Sequence, residues 1–319
     1  MRTIVGATMK FAMAFPGQGS QLVGMMAGYE AHPAVRDTFA EAAEALAQDL
    51  WALAADGPPE EINRTVNTQP LMLTADVALY RAWRAAGGPE PAIAAGHSLG
   101  EYAALVVSGA LAFADALPLV RFRAQAMQEA VPAGTGAMAA VMGLDDETLA
   151  AVCAEAAQGQ VVEPVNFNAP AQIVIAGHRE AVERAIALAK ARGAKRGLLL
   201  PVSAPFHSSL LKPAAERLAA YLAKVDLRAP SIPVLHNVDV ASAAAPGAIR
   251  GALSRQAASP VRWADTMRAF AAEGVTHIVE CGPGTVLTGL AKRTVPELAL
   301  HSTNDGDALA AALAAIREA

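Results

Sequence analysis

Short apolar runs alternate with stretches of helical periodicity along the first part of this chain. Apolar runs that end at glycine or proline are typical of buried strands, whereas apolar positions at helical spacing indicate amphipathic helices. Predicted strands cover residues 10–15 and 91–95, and predicted helices cover residues 34–47, 69–86, 99–107 and 115–129. Strands that alternate with helices in this way favour an α/β fold around a parallel sheet.

The pattern changes after Pro132, where strands follow one another more closely. Predicted strands cover residues 136–142, 161–167, 172–176 and 194–200, and predicted helices cover residues 145–157 and 178–191. The resulting order, βαββαβ, is that of the ferredoxin-like fold. We therefore predict a compact α+β insert over residues 133–204.

Beyond the insert, the alternation of strands and helices resumes. Predicted helices cover residues 210–223 and 263–273, predicted strands cover residues 234–238 and 277–280, and an Ala-rich helix ends the chain. We expect residues 1–132 and 205–319 to form one large α/β domain, and residues 133–204 to form a ferredoxin-like small subdomain.

Composition excludes several classes of protein without assigning a function. Of the 319 residues, 54% are hydrophobic and 17% are charged, so the chain has enough apolar surface for a large core and is not disordered. A net charge of −5 disfavours nucleic acid, whose phosphates attract a clustered basic face. The longest apolar run, residues 102–114, falls short of the roughly 20 residues of a membrane-spanning helix.

The N-terminal segment carries no sign of export. It lacks an apolar core followed by a small-residue cleavage site, and Met9 is a candidate natural start, with residues 1–8 an upstream extension. Cys153 and Cys281 fit no metal-ligand spacing, so we expect two buried thiols in a reducing compartment and no metal site. These features predict a cytoplasmic protein that does not enter a membrane.

The segment GHSLG at residues 96–100 joins a predicted strand to a predicted helix. It matches the nucleophile elbow, in which a serine is held out on a tight turn that flanking glycines make sterically possible. The helix that follows directs backbone N–H groups at the serine and favours negative charge there. We therefore predict Ser98 as a nucleophile in a hydrolase-like domain, the alternative being an ordinary N-cap serine.

A serine nucleophile needs a base, and the residues alone leave the choice among seven histidines open. His207 is a candidate because it lies in an irregular segment just after the predicted insert. His97 adjoins Ser98, but neighbours on such a turn point apart, so we expect it to pack or to face the substrate. The acids at residues 145–147 begin a helix and are expected to cap it. Either a backbone carbonyl orients the base, or the site is a plain dyad.

Two further features have both a structural and a functional interpretation. Arg123 lies on an otherwise apolar helix face. Its guanidinium would either form an internal salt bridge or bind a substrate carboxylate through two parallel hydrogen bonds. The glycine-rich residues 16–21 follow the first strand, and their N–H groups could face an anion or an oxyanion. They match neither a phosphate loop nor a dinucleotide fingerprint.

Together these segments resemble the malonyl-CoA:acyl carrier protein transacylase family of bacterial fatty-acid synthesis. The resemblance covers almost the whole chain from about Met9. It rests on FPGQGSQ at 15–21, NTQP at 67–70, GHSLGEYAAL at 96–105, RFRAQAMQEAVP at 121–132, NFNAPAQIVIAG at 166–177, APFHSSLL at 204–211, SPVRW at 259–263 and ECGPG at 280–284. So many motifs in one order exclude a chance match.

The resemblance implies a role for each matching residue of the reaction centre. The acylated serine corresponds to Ser98 and the base to His207, and the family has no acidic third member. A backbone carbonyl near Gln256, in the segment QAASPVRW, orients the histidine. The amides of Gln18 and Leu99 supply the oxyanion hole.

The resemblance also implies how the acyl group is recognised. Arg123 binds the malonyl carboxylate, and Asn168 lines the cleft between the two subdomains. One position departs from the common pattern, because Phe206 precedes the base where many stand-alone enzymes have serine. Phenylalanine also occurs there in malonyl-selective domains of polyketide synthases. We expect its ring to reinforce malonyl preference, while the pathway that the enzyme serves stays open.

The implied substrates are malonyl-CoA and holo acyl carrier protein, with no cofactor and no more than a monomer required. Alternatives are a serine thioesterase or hydrolase, a trans-acting acyltransferase of polyketide synthesis or malonate decarboxylation, and a carrier-binding module with an inactive site. An acidic carrier would need a local basic patch. The best one consists of Lys190, Arg192, Lys195 and Arg196, whose other interpretation is a solvated helix end.

Overall fold

The apolar runs form strands and the periodic stretches form helices. A computed structural model describes residues 10–318, so the candidate start at Met9 lies outside the described residues. The first elements are β1 (Phe11–Phe15), α1 (Pro33–Leu46), α2 (Leu50–Asp56), α3 (Pro59–Ile62), α4 (Thr65–Ala85), β2 (Ile93–Gly96), α5 (Gly100–Val107) and α6 (Phe113–Glu129). The small subdomain contains β3 (Gly136–Met142), α7 (Asp146–Ala157), β4 (Val162–Ala169), β5 (Gln172–His178), α8 (Arg179–Ala191) and β6 (Arg196–Leu199).

The remaining elements return to the large domain. They are α9 (Lys212–Leu222), β7 (Val234–Leu235), α10 (Pro246–Gln256), α11 (Trp263–Ala272), β8 (His277–Glu280), α12 (Val286–Thr294), β9 (Ala299–Ser302) and α13 (Gly306–Glu318). Within residues 10–318, no helix combines the length and the apolar character needed to cross a membrane.

A parallel sheet in the order β7-β2-β1-β8-β9 forms the centre of the large domain. Phe15 of β1 lies opposite Gly96 of β2, and Ala14 lies opposite Glu280 of β8. All five residues of β1 are buried, as expected for a parallel strand that helices cover on both faces. The carboxyl ends of β1, β2 and β8 therefore lie side by side, and the loops that follow them meet at one edge, where α/β proteins bind ligands.

The small subdomain has an antiparallel sheet in the order β4-β5-β3-β6, with its own apolar core beneath α7 and α8. This strand order is that of the ferredoxin-like fold, so the predicted fold class is confirmed: an α/β domain with an α+β insert. The exact boundaries at residues 133 and 204 stay a prediction.

The two parts share buried surface. Met138 and Val174 of the small sheet belong to the same apolar cluster as residues of α4, α5, α6 and α9. Backbone hydrogen bonds continue the contact, because Phe167 N–H donates to Val261 O at 3.0 Å and Val261 N–H donates to Val165 O at 2.8 Å. Strand β4 is thereby held against the segment before α11.

Several elements differ from the sequence prediction. β7 is only Val234–Leu235, shorter than the predicted residues 234–238, because the Asn237 backbone N–H leaves the ladder and donates to the Glu101 carboxylate. Helix α10 was not predicted, since two glycines weaken its periodicity; its buried face is formed by Ile249, Ala252, Leu253 and Gln256. The sequence analysis also did not predict α2, α3, α12 or the half-buried edge strand β9.

One carboxyl group on α4 is fully buried. Asp76 has no exposed surface, and within residues 10–318 neither of its carboxyl oxygens has a hydrogen-bond partner. A Cβ added at Gly282 would lie 2.4 Å from Asp76 Oδ1, so the loop after β8 packs directly on this group. Burial, and then the neighbouring Glu280 carboxylate, raise the pKa of Asp76 well above its usual value. The folded state therefore favours the neutral carboxyl.

We expect Asp76→Asn to change how stability depends on pH. The unfolded chain releases the Asp76 proton above about pH 4, whereas the folded chain retains it. Between these two pKa values, the free energy of unfolding of the wild type therefore falls by about 1.4 kcal/mol for each pH unit. The amide does not titrate. Urea unfolding should show the stability of D76N, relative to wild type, rising as the pH increases above about 5. A constant difference would contradict the raised pKa.

Candidate active site

Ser98 stands on a tight turn between β2 and α5. Its φ is 51°, in the left-handed region that non-glycine residues rarely adopt. A Cβ added at Gly100 would lie 2.1 Å from the Phe15 carbonyl oxygen, so the start of α5 packs on the end of β1 and requires glycine. This is the geometry of the predicted nucleophile elbow.

The elbow brings Ser98 to His207, which is 109 positions away in the sequence. Ser98 Oγ lies 2.7 Å from His207 Nε2, and His207 Nδ1 lies 2.8 Å from the Gln256 carbonyl oxygen. Because a carbonyl oxygen only accepts hydrogen bonds, Nδ1 carries the proton and Nε2 has the lone pair that accepts from the serine hydroxyl. A backbone carbonyl thus occupies the place that an acid occupies in many hydrolases.

The environment of His207 keeps its imidazole neutral. The side chain is 4% exposed. Burial, and then the positive charge of Arg123, lower the pKa of His207 to about 3. An imidazole in this state is ready to accept the proton of Ser98 at neutral pH.

Arg123 on α6 is buried beside the nucleophile. Its terminal nitrogens donate to Gln69 Oε1 at 2.8 Å, to Gln256 Oε1 at 2.9 Å and to Ser98 Oγ at 3.1 Å. Its Nε has no hydrogen-bond partner in the described part of the chain. No carboxylate of residues 10–318 forms a salt bridge with it, so the internal salt bridge considered from the sequence is not observed. Burial lowers the pKa of Arg123, while Tyr102 and Glu101 oppose that shift.

The glycine-rich loop after β1 packs on the elbow. A Cβ added at Gly17 would lie 2.4 Å from the His97 carbonyl oxygen and 3.5 Å from Leu99 N, which brings Gln18 next to the start of α5. The Gln18 side chain accepts from Thr65 Oγ1 at 2.8 Å. Within the described part of the chain, the backbone N–H groups of Gln18 and Leu99 have no acceptor, as an oxyanion hole requires.

A cavity of about 100 Å³ opens onto these groups. That is the space of only a few water molecules, which suits a short acyl group. Its lining consists of Gln18, Gln69, His97, Ser98, Leu99, Arg123, Met127, Met138, Asn166, Leu200, Val202, Phe206 and His207. The walls are thus polar around Ser98 and apolar on the side of Phe206.

Asn168 of β4 contacts the large domain through His97. His97 Nε2 and Asn168 Oδ1 are 2.8 Å apart, and the asparagine that lines the cavity is Asn166. Asn168 therefore contacts the cavity wall through His97, whose own pKa is lowered by burial. A direct substrate contact by Asn168 stays a prediction.

A buried polar cluster beneath the elbow was not predicted from the sequence. Glu101, His236 and Asn237 have almost no exposed surface, and Glu101 forms hydrogen bonds with His236, with the Asn237 backbone N–H and with Gln256. One signal was available, since Glu101 is a lone acid in an otherwise apolar helix. Asn237 gave no such signal.

The basic residues predicted as a carrier patch are all exposed, at the end of α8 and the start of β6. Arg192 forms an ion pair with Glu155, whereas Leu198 on β6 exposes 58% of its surface. Docking of a carrier there stays a prediction.

A strained serine, a neutral histidine and free backbone N–H groups at the carboxyl edge of a parallel sheet define a serine acyl-transfer enzyme of the hydrolase-like α/β class.

Comparison with known proteins narrows this class. Residues 13–315 match the family model described as the acyl transferase domain. The malonyl CoA-acyl carrier protein transacylase of Escherichia coli K12 is 59% identical over 305 residues, 95% of this chain and 99% of that protein. The crystal structure of an acyl-carrier-protein S-malonyltransferase from Burkholderia pseudomallei 1710b is 61% identical, with a TM-score of 0.95 over 96% of this chain and all of that one.

A third similar structure is a malonyl-transacylase in complex with its type II PKS acyl-carrier protein. It is 52% identical, with a TM-score of 0.95 over 96% of this chain and 99% of that chain. The chain belongs to the acyl transferase family and, within it, to the malonyl CoA-acyl carrier protein transacylases.

The lowered pKa of His207 has a consequence for the pH dependence of acylation. The base acts in its neutral form, so a low pKa keeps it active as the pH falls through the usual histidine range near 6.5. We expect the rate of Ser98 acylation by malonyl-CoA, measured in a quench-flow experiment, to change little between about pH 8 and about pH 5.5. An acidic limb centred near pH 6.5 would contradict the lowered pKa.

Proposed function

We propose that this chain transfers the malonyl group from malonyl-CoA to the phosphopantetheine thiol of acyl carrier protein through a malonyl-Ser98 intermediate. The observation that carries the proposal is the buried Arg123 guanidinium, 3.1 Å from Ser98 Oγ and bonded only to neutral groups. Such a cation favours an acyl group that brings its own carboxylate. The names of the similar proteins agree with this substrate.

The first half-reaction acylates the enzyme. His207 Nε2 takes the proton of Ser98 as Oγ attacks the thioester carbonyl, and the N–H groups of Gln18 and Leu99 stabilise the oxyanion. The tetrahedral intermediate collapses, the carbon–sulfur bond breaks, and His207 returns the proton to the coenzyme A thiolate. The Gln256 carbonyl stabilises the transient imidazolium through Nδ1–H.

The second half-reaction is the same chemistry with the carrier. The phosphopantetheine thiol gives its proton to His207 and attacks the malonyl ester, and Ser98 Oγ leaves and regains the proton. Coenzyme A and the carrier thus use one site in turn, which is a ping-pong mechanism.

Arg123 selects the acyl group by charge and the apolar wall selects it by size. A bound malonyl group would bring a carboxylate to the guanidinium, and a charge-assisted bidentate pair is a stronger interaction in a buried site than a bond to a neutral amide. Phe206 narrows the cavity against branched malonates. His97, which bonds to Asn168, also lines the cavity.

The site supplies the nucleophile, the base and the oxyanion donors from this chain, so the proposed reaction uses coenzyme A as a carrier of the substrate and no further cofactor. We also propose a cytoplasmic location, in agreement with the free thiols of Cys153 and Cys281. Fatty-acid synthesis is the favoured pathway. A polyketide carrier is the second candidate, because one similar structure holds such a partner.

Intact-mass spectrometry with peptide mapping tests the proposal. Malonyl-CoA should add one malonyl group at Ser98 that holo acyl carrier protein removes, whereas acetyl-CoA should label far more slowly. Arg123→Ala should lower malonyl transfer by about 100-fold or more, the loss of a buried charge-assisted pair, and acetyl transfer much less. Ser98→Ala is the control that should not label.

Two outcomes would contradict the proposal. Release of free malonate without an adduct would indicate a hydrolase. Equal losses of malonyl and acetyl transfer in R123A would remove the carboxylate-binding role of the arginine.

A further inference from the structure

Glu101 is a fully buried carboxylate in the first turn of α5, three residues after the nucleophile. It accepts three hydrogen bonds. Its Oε1 lies 2.8 Å from His236 Nδ1, and its Oε2 accepts from Asn237 N–H at 2.9 Å and from Gln256 Nε2 at 2.9 Å. A carboxylate without exposed surface is stable only when it is paired in this way.

Asn237 connects this carboxylate to the strained elbow. Its Oδ1 accepts from Ser98 N–H at 2.7 Å, and its Nδ2 donates to the Gly96 carbonyl oxygen at 2.7 Å. The asparagine side chain therefore bonds to the backbone on both sides of His97 and holds Ser98 at its positive φ. Glu101 in turn fixes the backbone of Asn237.

Gln256 connects Glu101 to the other reacting groups. Its Nε2 also donates to the Ser98 carbonyl oxygen at 2.8 Å, and its Oε1 accepts from Arg123 at 2.9 Å. Its backbone carbonyl accepts from His207. Since Glu101 and the Ser98 carbonyl can only accept, they force the amide nitrogen toward themselves, and the amide oxygen must then face Arg123.

We propose that Glu101 is a positioning residue for the transferase reaction, which sets the orientation of the Gln256 amide and, through Gln256 and Asn237, the placement of Arg123, His207 and Ser98. This inference rests on the proposed function. Glu101 touches no substrate, because Gln256 and the elbow lie between its carboxylate and the cavity lining.

The contacts predict different results for two substitutions. In Glu101→Gln, the new carbonyl oxygen can accept from Asn237 and Gln256, and the new NH₂ faces His236 Nδ1. His236 can adapt by moving its proton to Nε2, an atom without a hydrogen-bond partner among residues 10–318. Glu101→Ala removes every acceptor and leaves the Gln256 amide free to rotate.

Glu280 offers a matched control. It is also a buried carboxylate at the carboxyl edge of the sheet, but it bonds to Leu287 N–H and to Thr288 at the start of α12 and to no residue of the proposed site. Glu280→Ala should lower stability as E101A does, without changing the choice between acyl groups.

The test measures the acylation of folded wild type, E101A, E101Q and E280A by malonyl-CoA and by acetyl-CoA, with thermal unfolding recorded for each. E101A should lower kcat/KM for malonyl-CoA by about 100-fold, the effect of a displaced reacting group, and should lower the malonyl to acetyl ratio. The kcat/KM of E101Q for malonyl-CoA should be at least about tenfold higher than that of E101A. E280A should keep the wild-type ratio.

The outcomes separate the inference from the proposed function. A wild type that malonyl-CoA does not acylate would overturn both. If wild type is acylated and a folded E101A has the same acylation rates and the same malonyl to acetyl ratio as wild type, only the role of Glu101 is overturned. The same holds if E101Q loses as much malonyl-transfer activity as E101A.

Asn237→Ser provides a second test if E101A does not fold. This substitution cuts only the bonds to Ser98 N–H and the Gly96 carbonyl. It should slow malonyl and acetyl transfer by the same factor, because Gln256 still holds Arg123. Unchanged rates in N237S would overturn the inference, as would a loss confined to malonyl transfer.

Discussion

A positive charge buried beside the nucleophile without a carboxylate partner is the constraint on which the site depends. Arg123 is 2% exposed, and its guanidinium is held by two glutamine amides and the serine hydroxyl. Desolvating a cation costs free energy that neutral acceptors return only in part. We propose that a substrate carboxylate supplies the missing charge, which would make the site favour malonyl over acyl groups of similar size that carry none.

The same charge shapes the rest of the reaction centre. It contributes to the lowered pKa of His207 and so keeps the base neutral, with its lone pair on the nitrogen that faces Ser98. The buried carboxylate of Glu101 bonds to the Gln256 amide, which in turn bonds to Arg123. Placing a neutral group between the two charges leaves the guanidinium available to a ligand.

Much of the fold followed from the sequence because its signals are local. Alternating apolar runs predicted the parallel sheet, the βαββαβ order predicted the insert, and GHSLG predicted the strained turn at Ser98. The predictions failed where long-range contacts decide. β7 ends early because Asn237 bonds to Glu101, which is 136 positions away, and α10 forms despite two glycines because its apolar face packs in the core.

In the reaction centre too, local motifs predicted some residues and long-range contacts decided the others. The nucleophile is visible in its motif, whereas the residues alone left the base open until the resemblance to a family singled out His207. Asn168 bonds to His97, while Asn166 of the same strand lines the cavity, so the role of Asn168 in the cleft stays a prediction. Hydrogen bonds between distant segments, such as those of Gln256, leave no periodic trace in a sequence.

The most direct test of this account is the crystal structure of the malonyl-enzyme, formed by soaking malonyl-CoA into crystals without carrier. The account predicts an ester at Ser98 whose free carboxylate lies about 3 Å from both terminal nitrogens of Arg123. A malonyl carboxylate directed to solvent, with Arg123 still bonded to Gln69 and Gln256 alone, would contradict it.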